Sequence, residues 1–351
     1  MPRPSTLSRG ALYLSAGILA ACGIALFMRA DDSSETRATV PFQKGVCLTD
    51  FDGSYDDAGL GETIERLRAD GVEWVEVIGY GYMPDVSRPE IRFGDLSSSQ
   101  AAAIRRLHDA GLRVLLMPQL WSHQFYEDPP RWGADIAMSS DEDWGTWFSR
   151  YREFLLHCAR LAAEAKVEIL SVGLEYVSAT RQEARWRELV RDVRAAYPGP
   201  LTYGAHWEEE AHRIGFWDAL DLVGVNLYYP LAGGGVERAV RELSALHEKT
   251  GKPILLTEAG LPSVASATEK PWAAPVKGAS ADEAEQALGY ETVLSAFWER
   301  EWLAGIYFWN WPLGQDEDAL GFSPKDKAAE EVLRRWFSSG PGRGPALPGR
   351  E

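Results

Sequence analysis

The feature of this chain that most restricts its fold is a regular alternation of two kinds of segment. Short runs rich in β-branched and aromatic residues alternate with longer amphipathic runs along most of the 351 residues. Strands that alternate with helices favour a parallel sheet with helical crossovers, which is the α/β class. The short runs predict eight strands, at residues 45–49, 74–79, 114–120, 169–175, 201–205, 222–227, 254–258 and 305–309.

The longer runs predict a helix after nearly every strand. They lie at residues 60–69, 99–110, 144–165, 182–196, 236–250, 282–300 and 325–337, with a shorter candidate at 208–216. Eight strand–helix units suit a closed (β/α)₈ barrel, the TIM barrel, as a single catalytic domain. An open doubly wound sheet is the competing architecture, but no glycine-rich phosphate loop follows the first predicted strand.

The first 30 residues have the composition of an export signal. Arg3 and Arg9 precede an uncharged, mostly apolar run at 10–28, which is the pattern of a secretory signal. Residues 19–22 read Leu-Ala-Ala-Cys and resemble a bacterial lipobox, in which Cys22 is the lipidated residue. An uncleaved membrane anchor and conventional cleavage are the alternatives. Each predicts an exported protein, either held in the cell envelope or secreted.

The remaining domain boundaries follow from composition. Residues 31–41 are polar and predict a tether, residues 42–338 hold the predicted barrel, and residues 339–351 are rich in Gly and Pro and predict a disordered tail. Cys47 and Cys158 fall in apolar runs, so they predict buried free thiols rather than a disulfide.

Charge and histidine spacing limit the partners of the domain. The formal net charge of −16 argues against a nucleic-acid binder that works by phosphate neutralisation. The six His show no spacing typical of metal ligands, so no metal and no other cofactor is predicted. We expect a monomer that meets the membrane only through its N-terminal segment.

Two predicted strands end in a carboxylate after a long apolar run. Glu175 ends the fourth strand and Glu258 ends the seventh, and active sites of this fold lie at the carboxyl ends of the strands. An acid there pairs with a nearby Arg or Lys, or it has a function. Glycoside hydrolysis needs one carboxylic acid to protonate the leaving oxygen and one carboxylate at the anomeric carbon, and their separation distinguishes retaining from inverting enzymes.

Aromatic and polar side chains at other strand ends complete a predicted sugar site. The chain contains 14 Trp, and flat amphipathic rings suit the faces of sugar rings. The candidates are Trp121, Trp207 and Trp309 for stacking, Gln119, His206 and Asn226 for sugar hydroxyls, and Tyr228 for a hydrogen bond to the nucleophile.

Four segments in chain order resemble glycoside hydrolase family 113, whose characterised members are endo-β-1,4-mannanases. They are Ser-Val-Gly-Leu-Glu at 171–175, Leu-Thr-Tyr-Gly-Ala-His-Trp at 201–207, Asp-Leu-Val-Gly-Val-Asn-Leu-Tyr-Tyr-Pro at 221–230 and Thr-Glu-Ala-Gly-Leu-Pro-Ser at 257–263, followed by Lys-Pro-Trp at 270–272. The resemblance implies a retaining enzyme with Glu175 as acid/base and Glu258 as nucleophile, and it adds Trp272 to the substrate-binding candidates.

Two positions differ from what the wider clan of retaining barrel glycosidases leads us to expect. Leu174 stands where the clan usually has an Asn that binds the sugar 2-hydroxyl, and His206 stands where an Asn could be expected beside Trp207. The leading prediction is a retaining glycosidase, endo-acting on β-1,4-mannan or a related β-linked polysaccharide. The alternatives are a surface glycan-binding protein on a catalytically impaired barrel and a transglycosidase that remodels envelope glycans.

Other conspicuous residues are predicted to be structural. Asp50 and Asp52 suit a turn, and the acidic run 208–210 suits the solvated start of a helix. The aromatic residues of 144–151 recur at helical spacing and predict a helix core. Glu76, in the second strand, faces either the barrel interior or a helix.

Overall fold

The computed structural model describes residues 42–50, 55, 59–94, 99–313 and 319–339. The predicted targeting segment with Cys22, the tether, Asp52 and all but the first residue of the predicted tail lie outside these residues. The predictions for them stay predictions. Among the described residues, no helix is both long enough and apolar enough to cross a membrane.

Eight parallel strands pair in chain order, and the last pairs with the first, so the sheet closes into a barrel. The strands are β1 Gln43–Thr49, β2 Trp74–Tyr82, β3 Arg113–Trp121, β4 Ile169–Leu174, β5 Leu201–His206, β6 Val223–Leu227, β7 Ile254–Ala259 and β8 Leu303–Pro312. The predicted (β/α)₈ fold is confirmed, and all eight predicted strands are present.

A helix follows each strand and packs on the outside of the barrel. The helices are α1 Leu60–Ala69, α2 Ser99–Asp109, α3 Asp141–Ala165, α4 Glu183–Ala196, α5 Glu209–Arg213, α6 Gly235–Thr250, α7 Glu283–Phe297 and α8 Ala328–Phe337. The helix after β5 is much the shortest, with five residues.

The barrel has an interior cluster and a larger cluster between strands and helices, as expected when strand side chains alternate between two faces. The interior cluster includes Cys47, Leu115, Leu255 and Tyr307. The outer cluster takes in the aromatic stripe of α3, where the rings of Trp147 and Tyr151 stack at 4.9 Å. The predicted helix core and the two buried free thiols are confirmed.

Ion pairs join α1 and the residue that follows it to α8. Arg66 on α1 donates from Nε to Glu330 on α8 at 2.7 Å. Arg334 on α8 donates from Nε to Asp70, just after α1, at 2.8 Å, and the Asp70 side chain is fully buried. These contacts span the seam where β8 meets β1, so they support closure of the barrel.

Candidate active site

Glu175 directly follows β4 and turns the chain at the mouth of the barrel. Its φ of 52° lies in the left-handed region, which costs a residue with a side chain about 1 to 3 kcal/mol. Its N–H donates to the carbonyl of Gly204 at 2.8 Å, and its carbonyl accepts from the N–H of Val177 at 3.0 Å. These hydrogen bonds hold the turn and leave the Glu175 side chain partly exposed.

Leu174, the residue before it, points into the barrel and belongs to the interior cluster. A side-chain carbon added to Gly204 would come within 2.7 Å of Leu174 and 3.5 Å of the Asn226 amide oxygen. Because Gly204 has no side chain, it leaves room for Leu174 and Asn226 to lie close together. Leu174 has no polar group, so it offers no substitute for the hydrogen bond of the clan's usual Asn.

Glu258 lies on β7, almost fully buried beside β6. The register between the two strands shifts between Val225 and Asn226, so Asn226 pairs with Glu258. The hydroxyl of Tyr228, just after β6, donates to Oε2 of Glu258 at 2.8 Å. The predicted hydrogen bond from Tyr228 to this carboxylate is therefore present.

The charge of Glu175 acts on the buried carboxyl of Glu258. Burial, and then the nearby charge of Glu175, raise the pKa of Glu258 above its ordinary value. Hydrogen bonding by Tyr228 and Asn226 works in the opposite direction and lowers that pKa. Burial also raises the pKa of Tyr228 well above its ordinary value, so its hydroxyl stays protonated and keeps donating.

His206 ends β5 and faces Glu175. Its Nδ1 lies 3.1 Å from Oε1 of Glu175, and the Trp132 ring packs against the imidazole with centroids 4.8 Å apart. Burial alone would lower the pKa of His206, but the hydrogen bond to Glu175 and the charges of Glu175, Glu210 and Glu208 raise it. The imidazole of His206 is therefore placed to share a hydrogen bond with the Glu175 carboxyl.

A cavity of about 750 Å³ opens over this group. Its lining residues are Pro130, Arg131, Trp132, Glu175, His206, Trp207, Glu208, Tyr228, Trp272, Ala273, Ala274, Trp309 and Phe322. The cavity thus brings together Glu175, with Glu258 hydrogen-bonded to its wall, and five other predicted site residues. The rings of Trp207 and Trp272 pack at 5.7 Å.

Three predicted sugar contacts lie elsewhere. Trp121 packs between Tyr82 and Tyr126, with ring centroids 5.3 and 6.2 Å away, and does not line the cavity. Gln119 is half-buried on β3, two residues before Trp121, and is also outside the lining. Asn226 is fully buried, where its Oδ1 accepts from the Thr257 hydroxyl at 2.8 Å, so it supports the site from below.

Two residues of the site escaped the sequence prediction. Trp132 lines the cavity from the segment between β3 and α3, where no periodic pattern marks it. Glu210 was expected on a solvated face, and that prediction is wrong, because its side chain is only 1% exposed. Its Oε2 accepts from the backbone N–H of His206 at 2.7 Å, and burial raises its pKa to about 7.

The structure also places two other acids from the sequence analysis, Glu76 and Asp50. Glu76 faces the barrel interior, fully buried opposite Cys47 in register, and burial followed by the charge of Glu258 raises its pKa well above normal. Asp50 accepts from the N–H of Tyr55 at 2.5 Å, as a turn residue does. In the parts of the chain that the structure describes, no three His, Cys, Asp or Glu side chains gather as a metal site requires.

A closed barrel with two carboxylates and a tryptophan-lined cavity at the carboxyl ends of its strands is the arrangement of a glycoside hydrolase. The family model for Glycoside Hydrolase Family 113 matches residues 47–338. The chain belongs to this family, as the sequence motifs predicted. A comparison with curated proteins gave no significant match.

Solved structures agree with this assignment. The family 113 β-mannanase of Alicyclobacillus acidocaldarius, in complex with ManMIm, is 27% identical, with a TM-score of 0.78 over 85% of this chain and 97% of its own. A second family 113 β-1,4-mannanase is 25% identical, with a TM-score of 0.78 over 86% of this chain and 100% of its own. A β-glucuronidase of Bifidobacterium dentium, 15% identical with a TM-score of 0.58 over 86% of this chain and 47% of its own, shares the fold.

Proposed function

We propose that the protein is a retaining endo-β-1,4-mannanase that works by double displacement on Glu175 and Glu258. The observation that carries this proposal is the arrangement of the two glutamates at the barrel mouth. Glu258 is buried and accepts a hydrogen bond from Tyr228, while Glu175 is partly exposed and paired with His206. Unequal environments of this kind separate the roles of two carboxyl groups.

In the first step, Glu175 acts as the acid. The carboxylate of Glu258 attacks the anomeric carbon as the bond from that carbon to the leaving oxygen breaks, and the proton of Glu175 passes to that oxygen. In this assignment the glycosidic oxygen is placed at Glu175 and the electron-poor anomeric carbon at Glu258, whose carboxylate accepts the hydrogen bond from Tyr228. The step leaves a glycosyl ester on Glu258 and an ionised Glu175.

In the second step, Glu175 acts as the base. It takes a proton from a water molecule whose oxygen attacks the anomeric carbon, and the ester bond to Glu258 breaks. Both carboxyl groups return to their starting states. Because the anomeric centre is inverted twice, the released sugar keeps the β configuration.

The substrate class is supported by the cavity and by the relatives. Trp132 and Trp272 are 40% and 46% exposed, so two indole rings stand at the rim where successive sugar rings of a polymer can stack. The similar family 113 structures are those of β-mannanases. Together these observations favour endo attack on β-1,4-mannan.

The test is reducing-sugar release from a panel of β-1,4-linked mannan, xylan, galactan and glucan. The purified protein is compared with Glu175→Gln and Glu258→Gln, and with Glu209→Gln as a matched control on an exposed acid. We expect release chiefly from mannan, a loss of about 10²- to 10⁴-fold in Glu175→Gln, no turnover in Glu258→Gln, and no change in Glu209→Gln. Thermal unfolding checks that all variants are folded.

Each other outcome contradicts the proposal in its own way. Oligosaccharide binding without any product would indicate a glycan-binding protein. Products longer than the starting oligosaccharide as the main outcome would indicate a transglycosidase. Release chiefly from another polymer would keep the mechanism and replace the substrate.

A further inference from the structure

Glu210 differs from the two glutamates before it in the chain. Glu208 and Glu209 are exposed, whereas the side chain of Glu210 is buried beneath the barrel mouth. Its carboxyl accepts three hydrogen bonds: Oε1 from the hydroxyls of Thr180 at 2.9 Å and Tyr203 at 3.0 Å, and Oε2 from the N–H of His206 at 2.7 Å. A buried carboxyl is costly, and these donors offset part of that cost.

The partners of Glu210 lead to Glu175 by two routes. The first runs through His206, whose backbone N–H is held by Glu210 and whose Nδ1 lies 3.1 Å from Oε1 of Glu175. The second runs through Tyr203, whose hydroxyl donates to Glu210 and accepts from the N–H of Tyr176 at 2.7 Å. Tyr176 is the residue after Glu175, so one route reaches the carboxyl and the other reaches the backbone.

The backbone at Glu175 needs such support. A left-handed conformation in a residue with a side chain persists only where the surroundings hold it, and Glu175 has a φ of 52°. The N–H of Tyr176 is held directly behind this turn. A shift there would rotate the Glu175 carboxyl away from the cavity.

We propose that Glu210 is a positioning residue for the acid/base, and that its carboxyl fixes Glu175 and His206 relative to each other. The inference rests on the proposed function, because it assigns Glu210 a task only if Glu175 transfers a proton to the leaving oxygen. Glu210 does not line the cavity, so it acts through its neighbours. Proton transfer depends steeply on placement, and a displacement of 1 Å can cost about 100-fold in rate.

A positioning role has a signature that a purely structural role lacks. The acid matters most when the leaving group is a weak acid, since an acidic phenol departs without a proton. A misplaced Glu175 therefore slows substrates with poor leaving groups and spares those with good ones. A general loss of folded protein lowers both rates by the same factor.

The test compares Glu210→Gln with Glu209→Gln, the same change one residue earlier on the exposed face of α5. Values of kcat/KM are measured for phenyl β-mannoside and for 2,4-dinitrophenyl β-mannoside. We expect Glu210→Gln to lose about 10- to 100-fold on the phenyl substrate and less than about threefold on the dinitrophenyl substrate, where the acid contributes little. Glu209→Gln should match the parent protein on both.

Two further variants cover failure of folding and failure of the proposed function. Tyr203→Phe breaks the second route alone and should show the same dependence on the leaving group even if Glu210→Gln does not fold. Glu175→Ala should turn over the dinitrophenyl substrate faster when azide is added, because azide attacks the glycosyl ester without a base. No azide effect in Glu175→Ala would overturn the proposed function and this inference together.

The remaining outcomes concern Glu210 alone. If azide accelerates Glu175→Ala while Glu210→Gln and Tyr203→Phe slow both substrates equally, the buried carboxyl is only structural. If they match Glu209→Gln on both substrates, the two routes carry no catalytic effect. Either result would overturn the positioning role and leave the proposed function standing.

Discussion

A buried glutamate can act as a nucleophile only when its charged form is stabilised. Burial and the neighbouring Glu175 oppose the charge on Glu258, whereas Tyr228 and Asn226 favour it. The Tyr228 hydroxyl is a charge-assisted donor at 2.8 Å, and a hydrogen bond to a charged group is worth about 1.5 to 3 kcal/mol. The pKa of Glu258 therefore depends on opposing effects, and loss of the Tyr228 hydroxyl would raise it.

Removing that hydroxyl gives a prediction at the scale of one residue. In Tyr228→Phe we expect kcat/KM to fall about 10- to 100-fold, as loss of a charge-assisted hydrogen bond implies. The pKa of Glu258 rises further, and since activity disappears as pH falls through that pKa, the acidic limb of the kcat/KM profile moves to higher pH.

The matched control is the next residue in the chain. Tyr229→Phe removes a hydroxyl that donates to Glu242 at 2.8 Å, away from the two glutamates, and should leave the pH profile unchanged. Equal profiles for Tyr228→Phe and the parent protein would contradict the role of Tyr228.

Individual residues also show which parts of the site could be predicted from the sequence and which could not. Glu175 and Glu258 are conspicuous because each ends an apolar strand, where an unpaired acid is costly. Glu210 stands in a run of three acids at the start of α5, a helix of five residues that is too short for periodicity to reveal which acid faces inward. Trp121 lies near the carboxyl end of its strand as Trp309 does, but it packs onto Tyr82 and Tyr126 and does not line the cavity.

At the scale of elements, the segments after the strands carry the substrate contacts. The segment between β3 and α3 supplies Trp132, and the segment between β7 and α7 supplies Trp272. Trp272 packs on Trp207 at 5.7 Å, so one face is supported by the site while 46% of the residue stays exposed. A supported and exposed indole ring is suited to stacking on a sugar.

Trp272→Ala therefore tests binding more than chemistry. We expect KM for mannan to rise about 3- to 10-fold, because an aromatic stacking contact is worth about 0.5 to 1.5 kcal/mol beyond its area, and kcat to change little. Val276→Ala is the control, since Val276 lies in the same segment, is 74% exposed and does not line the cavity. A fall in kcat at constant KM would place Trp272 in the reaction step instead.

Element boundaries were predictable where side chains alternate and not where backbone pairing alone extends a strand. The paired register of β2 and β3 continues through Tyr82 and Trp121, beyond the predicted ends of both strands. Gly79 and Gly81 interrupt the pattern of side chains in β2, but they leave its N–H and carbonyl groups available for pairing. The segments between strands and helices have no periodicity, so the place of Trp132 was not predictable.

At the scale of the whole molecule, closure of the barrel assembles the site. Four neighbouring strands, β4 to β7, supply or lead into Glu175, His206, Tyr228 and Glu258 in that order. The two carboxyl groups come from distant parts of the chain, and they interact because the carboxyl ends of parallel strands meet at one rim. The placement of both glutamates at one rim was therefore predictable from the fold class together with their positions at the ends of apolar strands, whereas the buried support from Glu210 was not.

The central claim is that Glu258 forms a covalent bond to the sugar while Glu175 transfers the proton. The most direct measurement is mass spectrometry of the intact and digested protein after exposure to 2-deoxy-2-fluoro-β-mannosyl fluoride. Fluoride leaves without an acid, and fluorine at C2 slows release of the ester. We predict a mass increase of one fluorosugar on the peptide that contains Glu258, and none in Glu258→Gln. A label on another carboxylate, or an active protein that stays unlabelled and releases the α anomer, would contradict the account.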